Sequence, residues 1–239
     1  MAYRCVATSV AGFVQQLAVA YLTNGYYFYV TARIPAHKDT AKTDLKILEQ
    51  YGIAISKWTR SRRKKEGQAN VHYLCYDRFY VLLANHGEHP FFAAEAKRIR
   101  DARKSPILFM GYAVGYRRAS GGGAYHASVR IDRNLFQELK GRFQRLAVHR
   151  SVEELCRELL TLPFEPYAPI RSQLQGILRA VNRRRKVASL EPVPREALRL
   201  NRSPVRPFEE RDDARKTNVR SEALHATEDA EERFRSGKS

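Results

Sequence analysis

The residues best suited to metal or acid–base chemistry fall in one short segment that ends in two histidines. His86 and His89 are three positions apart with Glu88 between them, and Asp77 precedes them. Imidazoles and carboxylates hold a divalent metal when they converge from fixed elements. These four residues are therefore the candidates for a catalytic set. The interpretation that we favour is simpler: hydrogen-bonded histidines at a turn, with no metal and no cofactor.

Other catalytic signatures are absent from the sequence. The glycine run at 121–123 lacks the lysine and the helix start that a phosphate cradle needs, and Ser120 is not in a nucleophile elbow. No pair of histidines is separated by a single residue, as HUH-type nucleases require. The chain therefore favours a binding protein over an enzyme. The enzyme alternative is a metal-dependent nuclease or a transposase-like strand-transfer enzyme, the one case in which a divalent metal is expected.

A dense basic run occupies residues 57–65, where six of nine side chains are cationic. The cations are Lys57, Arg60, Arg62, Arg63, Lys64 and Lys65. Cations this close repel one another unless an anion such as phosphate neutralises them. Trp58 lies within the run, and two aromatic-rich segments follow it. The run therefore predicts a nucleic-acid-binding surface, with a solvated helix end or loop as the alternative.

Aromatic residues dominate the segment from Tyr26 to Ile34, which has the pattern of a strand. Alternate residues of a strand face opposite sides, so Tyr27 and Tyr29 share a face. Exposed rings there would stack unpaired bases, whereas buried rings would pack under a helix. Tyr27 and Tyr29 are therefore candidates for base contact, and they favour RNA or single-stranded DNA over duplex DNA.

A helix is predicted from Ile170 to about Lys186, because its apolar residues recur at helical spacing. The opposite face carries the candidate cations Arg171, Arg179, Arg183 and Lys186. Side chains of this type contact phosphates and base edges, although an amphipathic helix with a solvated basic face has the same pattern. Further candidate cations for nucleic-acid contact are Arg78, Arg100, Arg103 and Lys104.

The net charge of +18 is the strongest global feature of the 239 residues. The last 31 residues hold 9 acidic and 7 basic side chains, whereas the preceding ones hold 16 acidic and 36 basic side chains. The basicity thus belongs to the body of the chain, which predicts an anionic partner, most commonly nucleic acid. A basic structural subunit that docks an acidic protein is the remaining alternative.

The compartment is predicted from the cysteines and from the N-terminal stretch. Cys5, Cys75 and Cys156 are few, odd in number and far apart, which indicates a reducing environment. The apolar stretch from Val6 to Leu22 is interrupted by two glutamines, so we interpret it as an amphipathic first helix or strand rather than a secretory signal. We expect a cytoplasmic protein without a membrane partner.

The order of elements predicts an α+β fold with a mostly antiparallel sheet, helices on one face and a C-terminal helical extension. The predicted order begins with a strand, a helix, two strands and a helix. This order matches the start of a split βαβ, ferredoxin-like arrangement. A helix is expected from Phe91 to Lys104 and one strand from Ile107 to Tyr116. The predicted segments are an α+β sheet domain at 1–131, a helical extension at 132–190, a basic Pro/Arg arm at 191–208 and a disordered charged tail at 209–239.

The sequence therefore predicts a nucleic-acid-binding protein that uses a basic surface and exposed aromatic rings. Its size and charge also fit membership of a mobile-element or nucleoprotein assembly, with a protein partner or an oligomer as a further expectation. The arginines of the 191–208 arm are expected to follow a nucleic-acid backbone or to enter a minor groove. They are Arg195, Arg199, Arg202 and Arg206.

Overall fold

A four-stranded antiparallel sheet lies at the centre of the N-terminal half of the chain. In this computed structural model, which describes residues 3–119 and 122–208, the strands are β1 (Phe28–Arg33), β2 (Val71–Tyr76), β3 (Phe79–Ala84) and β4 (Arg100–Asp101). Their order is β2-β3-β1-β4, and each neighbouring pair is antiparallel. This is the split βαβ, ferredoxin-like arrangement, so the predicted α+β class is confirmed.

A second, three-stranded antiparallel sheet follows, in the order β5-β6-β7. Its strands are β5 (Ile107–Phe109), β6 (Tyr112–Arg118) and β7 (Tyr125–Ile131). The prediction of a single strand from Ile107 to Tyr116 is wrong. Met110 and Gly111 both adopt positive φ, and the chain reverses there. The alternation of apolar residues continues through this turn, which hides it in the sequence.

Seven α-helices pack around the sheets in the described part of the chain. They are α1 (Val10–Gln15), α2 (Thr40–Gln50), α3 (Lys57–Lys65), α4 (Pro90–Ala94), α5 (Arg133–Leu146), α6 (Val152–Leu160) and α7 (Ala168–Val187). The prediction of a long helix from Phe91 to Lys104 is wrong. After α4 the chain turns at Glu95, and Arg100 then pairs with Tyr29 as the edge strand β4. The basic residues from Lys97 to Lys104 therefore do not share a helix face.

Both faces of the four-stranded sheet are buried. Because successive strand residues point to opposite sides, Tyr29 and Leu83 enter one core, whereas Val30 and Leu82 enter the other. The second core includes Ile47 of α2 and the first residues of α4. The first core continues into α1, the three-stranded sheet and α5 to α7. The described residues up to Phe208 accordingly form one compact unit, and described residues of the predicted 1–131 and 132–190 segments share the first core.

The N-terminal helix predicted from the apolar stretch is present and begins at Val10. Ser9 caps it, and after α1 the chain continues in wider π-helical turns to Tyr21 and a short 3₁₀ turn that ends before Gly25. Phe13 and Leu17 are fully buried. This stretch thus supplies part of the first core.

The predicted 191–208 arm packs against the body rather than projecting from it. Val193 and Val205 are buried, and the amide of Gln15 on α1 bonds the backbone of Val205 in both directions. Arg199 forms an ion pair with Glu165 at 2.9 Å. This pair offsets the charge of Arg199, whose side chain stays about half exposed, and the expectation that the arm contacts nucleic acid stays a prediction.

Some predictions concern residues outside the described ranges. The tail at 209–239 and the Ser120-Gly121 part of the glycine turn are among them. In the part that is described, no helix combines the length and the apolarity needed to cross a bilayer. The cytoplasmic location stays a prediction.

Candidate nucleic-acid interface

The basic run forms helix α3, which has no buried residue. Ser56 caps it by accepting a hydrogen bond from the Thr59 backbone N–H. Trp58 is 85 % exposed, and Arg62 and Lys65 follow it at helical spacings of four and seven, so the three share the outer face. An exposed indole among cations is thus the leading feature of this helix.

Arg60 is engaged inside the protein, unlike its neighbours on α3. Its guanidinium donates to the backbone oxygen of Ile53 at 2.6 Å and lies 3.3 Å from the imidazole of His72. It also lies over the ring of Tyr3, 5.4 Å from the centroid. Arg60 therefore attaches α3 to the edge strand β2 and is a positioning residue rather than a free cation.

His72 is enclosed by three tyrosines beneath this attachment. Its Nδ1 lies 2.9 Å from the Tyr3 hydroxyl, and the rings of Tyr21 and Tyr26 lie 4.6 Å and 4.5 Å away between centroids. Burial, together with the charge of Arg60, lowers the pKa of His72 to about 3. The imidazole is therefore neutral in the folded protein, whereas in the unfolded chain it titrates near its ordinary pKa of 6.5.

We expect acid to destabilise the fold through His72. Because its folded pKa is depressed, the unfolded chain binds an extra proton below pH 6.5, and stability is lost as pH falls from 6.5 toward 3. The loss is at most about 1.4 kcal/mol per pH unit. In urea titrations, the free energy of unfolding of the wild type minus that of His72→Gln should fall by about 2 kcal/mol between about pH 6.5 and about pH 4.5.

Subtracting the free energy of unfolding of His72→Gln from that of the wild type cancels the contributions of groups that titrate in both proteins. One such group is Asp44, whose pKa is raised by burial. His126→Gln is the control, because that imidazole is exposed. Parallel pH curves for the wild type and His72→Gln would contradict this account.

The predicted catalytic set is not assembled. Asp77 and His86 lie at opposite ends of β3, a strand of six residues that spans about 17 Å. His89 Nδ1 accepts the backbone N–H of Phe91 at 3.0 Å and caps α4, and burial lowers its pKa. Glu88 lines an open cleft with His89 and Arg63. Within the described residues, no three His, Cys, Asp or Glu side chains are grouped as metal ligands.

One side-chain amide bonds helix α7 to the free edge of β7, in addition to their packing in the first core. Gln173 Oε1 accepts the backbone N–H of Ile131 at 2.9 Å, and Gln173 Nε2 donates to the Ile131 oxygen at 3.0 Å. The amide therefore takes the place of a neighbouring strand. It fixes the basic outer face of α7 beside the three-stranded sheet.

Two clefts open beside α7 and share Gly176 and Arg179. The larger, about 620 Å³, lies between β7 and α7, and the smaller, about 250 Å³, lies between α5 and α7. Together they form what we call the α7 groove, and its six cations are Arg118, Arg130, Lys140, Arg179, Arg183 and Arg184. The sheet, α5 and α7 each contribute to one continuous basic surface.

The α7 groove is cationic without compensation. Neither cleft has an Asp or Glu among its described lining residues, and no ion pair in the described part of the chain includes any of the six cations. Arg179 and Arg183 are four residues apart on α7, a like-charge spacing that costs about 0.2–0.5 kcal/mol. An anionic ligand would relieve this repulsion.

The tyrosines predicted to contact bases have different environments. Tyr29 is 2 % exposed, and its hydroxyl donates to the backbone oxygens of Ser105 and Pro106 at 3.1 Å and 3.0 Å. It belongs to the core and is unavailable for stacking. Tyr27, which precedes β1, lies partly exposed at the surface.

Tyr27 belongs to a row of three tyrosine rings at the surface. Its ring lies 4.7 Å from that of Tyr116, which stacks in turn on Tyr125 at 5.8 Å with 16° between the planes. Arg103 lies over Tyr27 at 4.8 Å and Arg118 over Tyr125 at 5.9 Å. We call these three rings the tyrosine row, and each end of it is flanked by a guanidinium.

The remaining predicted cations are distributed over the surface. Arg78 donates to the Pro35 backbone oxygen at 2.7 Å, Arg103 pairs with Asp101 at 2.8 Å, and Arg171 donates to a backbone oxygen before α7. These three therefore have internal partners. The exposed ones outside the groove are Arg100, Lys104 and Lys186.

Sequence reasoning found two of the six groove cations, Arg179 and Arg183. It missed Arg118, Arg130 and Lys140 because β6, β7 and α5 meet α7 only in the folded chain. It also missed Arg184, which lies on α7 itself. It also missed Arg185, which is 4 % exposed although its neighbours in the basic run are exposed. The available signal was the helical spacing of Arg185 with Val181 and Leu178 on the buried face.

The chain matches no protein-family model, no curated protein and no solved structure. On its surface, the α7 groove supplies positive charge and the tyrosine row supplies exposed aromatic area.

Proposed function

We propose that the protein binds nucleic acid, with the phosphate backbone along the α7 groove. The observation that carries this proposal is the set of six cations without a carboxylate in two joined clefts. A polyanion would neutralise all of them at once and release its counterions, which is the main source of affinity in such complexes.

The length of the groove fits a short run of phosphates. Along α7 its lining extends from Ala168 to Arg184, which is about 24 Å at 1.5 Å per residue. At the spacing of one strand in a duplex, about 3.4 Å per phosphate, this length corresponds to about seven phosphates, and a more extended single strand places fewer there. About five phosphates along the groove would each find a partner among the six cations.

Helix α3 provides an accessory cationic surface in this proposal. Its outer face joins Trp58 to Arg62 and Lys65, and a base or sugar could pack on the exposed indole. Trp58 is the only tryptophan in the chain, so its fluorescence reports contact at α3 alone.

Binding of a labelled single-stranded oligonucleotide of about 20 nucleotides tests the proposal. Fluorescence anisotropy titrations over about 50 to 300 mM salt should give an affinity that falls with salt, with a slope of log K against log salt near −3.5 for about five phosphate contacts. Quenching of Trp58 in the same titrations would include α3 in the contact surface.

Polyglutamate of equal total charge is the competitor that separates the alternatives. Under the proposal it displaces the oligonucleotide poorly, because its charges are not spaced as phosphates are. Equal displacement by polyglutamate would support an acidic protein partner instead. Absence of saturable binding at about 50 mM salt would overturn the proposal, since electrostatic affinity is strong at that concentration.

A further inference from the structure

We propose that the tyrosine row is a stacking platform for an unpaired nucleobase, with Tyr125 as the ring that receives it. This inference rests on the proposed function and adds the class of nucleic acid, a single strand or an unpaired segment. Its basis is the geometry of Tyr125, which is 51 % exposed although its ring stacks on Tyr116.

The row is built outward from the core. Tyr116 follows the buried residues Tyr112 and Val114 on the same face of β6, and it packs against the first core. Tyr125 is opposite Arg118 at the end of the β6–β7 hairpin, beyond the last buried pair. The inner rings therefore hold Tyr125 in a fixed orientation, so that a base can stack without first ordering a flexible side chain.

Arg118 connects the platform to the α7 groove. Its guanidinium lies over the ring of Tyr125 at 5.9 Å, near the outer limit of a cation–π contact, and its side chain also lines the larger cleft. A nucleic-acid strand whose phosphates lie in the groove therefore passes Arg118 and reaches Tyr125. Backbone and base would contact neighbouring parts of one surface.

Stacking on Tyr125 requires a base that has left its own stack. In a duplex both faces of each internal base are covered by neighbouring base pairs, whereas a single strand can turn a base outward onto an aromatic ring. A ring without a base-edge partner accepts any base, so the platform selects strandedness rather than sequence.

Binding by Tyr125→Ala, Tyr125→Phe and the wild type tests the inference. The three probes are a single-stranded oligonucleotide, its duplex, and a single strand of equal length with abasic sites at its central positions. We expect Tyr125→Ala to weaken single-strand binding about tenfold, because one base–aromatic stack is lost, and to leave duplex and abasic binding within about twofold. Tyr125→Phe keeps the ring and should bind like the wild type.

Leu160→Ala is the matched control, because it removes an exposed apolar side chain from α6, which does not line the groove. Tyr125→Thr is a second variant that removes the ring and retains a strand-favouring residue, should the alanine variant fold poorly. Equal single-strand binding by Tyr125→Ala, Tyr125→Thr and the wild type would overturn the platform while leaving the groove intact. Equal loss on duplex and single strand would also overturn it, and a wild type that binds none of the probes would overturn both proposals.

Discussion

Replacing Arg179 and Arg183 together by glutamine is expected to weaken binding of a single-stranded oligonucleotide about 10- to 30-fold at about 0.1 M salt. Each phosphate contact on a single strand releases about 0.7 of a counterion, and each release favours binding by one power of the salt concentration. Two contacts at about 0.1 M salt therefore contribute about 1.4 decades of affinity. Anisotropy titrations of the two proteins at the same ionic strength measure the ratio directly.

The control for this variant is Lys42→Gln with Lys46→Gln. These lysines are exposed on α2, which packs on the second core of the four-stranded sheet, while α7 belongs to the first core. The control removes the same charge from a surface that does not line the groove. Equal weakening by the two double variants would mean that net charge alone attracts the ligand, and would contradict a defined site at α7.

Arg185→Met is expected to lower the free energy of unfolding by about 3 kcal/mol. Arg185 is buried, and its guanidinium donates to the backbone oxygens of Ala147 and Arg150 at 2.8 Å and 2.9 Å and to that of Glu191. The first two oxygens lie just beyond the end of α5, where the helix dipole also favours a positive charge. Methionine fills a similar volume but leaves three carbonyl groups without this donor.

The adjacent Lys186→Met is the comparison, because Lys186 is exposed on the same turn of α7. Its free energy of unfolding, measured by urea denaturation, should stay within about 0.5 kcal/mol of the wild type. If Arg185→Met changed the free energy of unfolding by no more than Lys186→Met does, Arg185 would not be the residue that joins the end of α5 to the segment after α7.

The parts of the fold that the sequence predicted correctly are those set by local periodicity and capping. Helix α7 has apolar residues at helical spacing, and α6 begins with the Ser151–Glu154 capping box that its sequence indicates. Strand β4 could not be foreseen, because two residues, Arg100 and Asp101, pair only where β1 offers a free edge. Pairing with β1 made this segment a strand, although its residues favour a helix.

The candidate site was predictable only where one helix presents it. Arg179 and Arg183 share the outer face of α7, and this follows from spacing alone. The neighbouring Arg118 and Arg130 belong to strands, and they come close to α7 only because β7 packs against α7 in the first core and bonds to it through Gln173. Tyr29 has the residue type expected for stacking, but its side chain faces the core. Which face of a strand is buried depends on how the sheet packs, and residue type alone does not reveal it.

The salt dependence of binding, compared between the wild type and the Arg179→Gln, Arg183→Gln variant, tests the central claim most directly. The slope of log K against log salt reports how many phosphates the protein neutralises, independently of how tightly the rest of the surface binds. If the backbone lies along the α7 groove, the slope of the variant is shallower by about 1.4, while the Lys42→Gln, Lys46→Gln control keeps the slope of the wild type. Equal slopes for the wild type and the groove variant would show that Arg179 and Arg183 touch no phosphate, and would contradict the account.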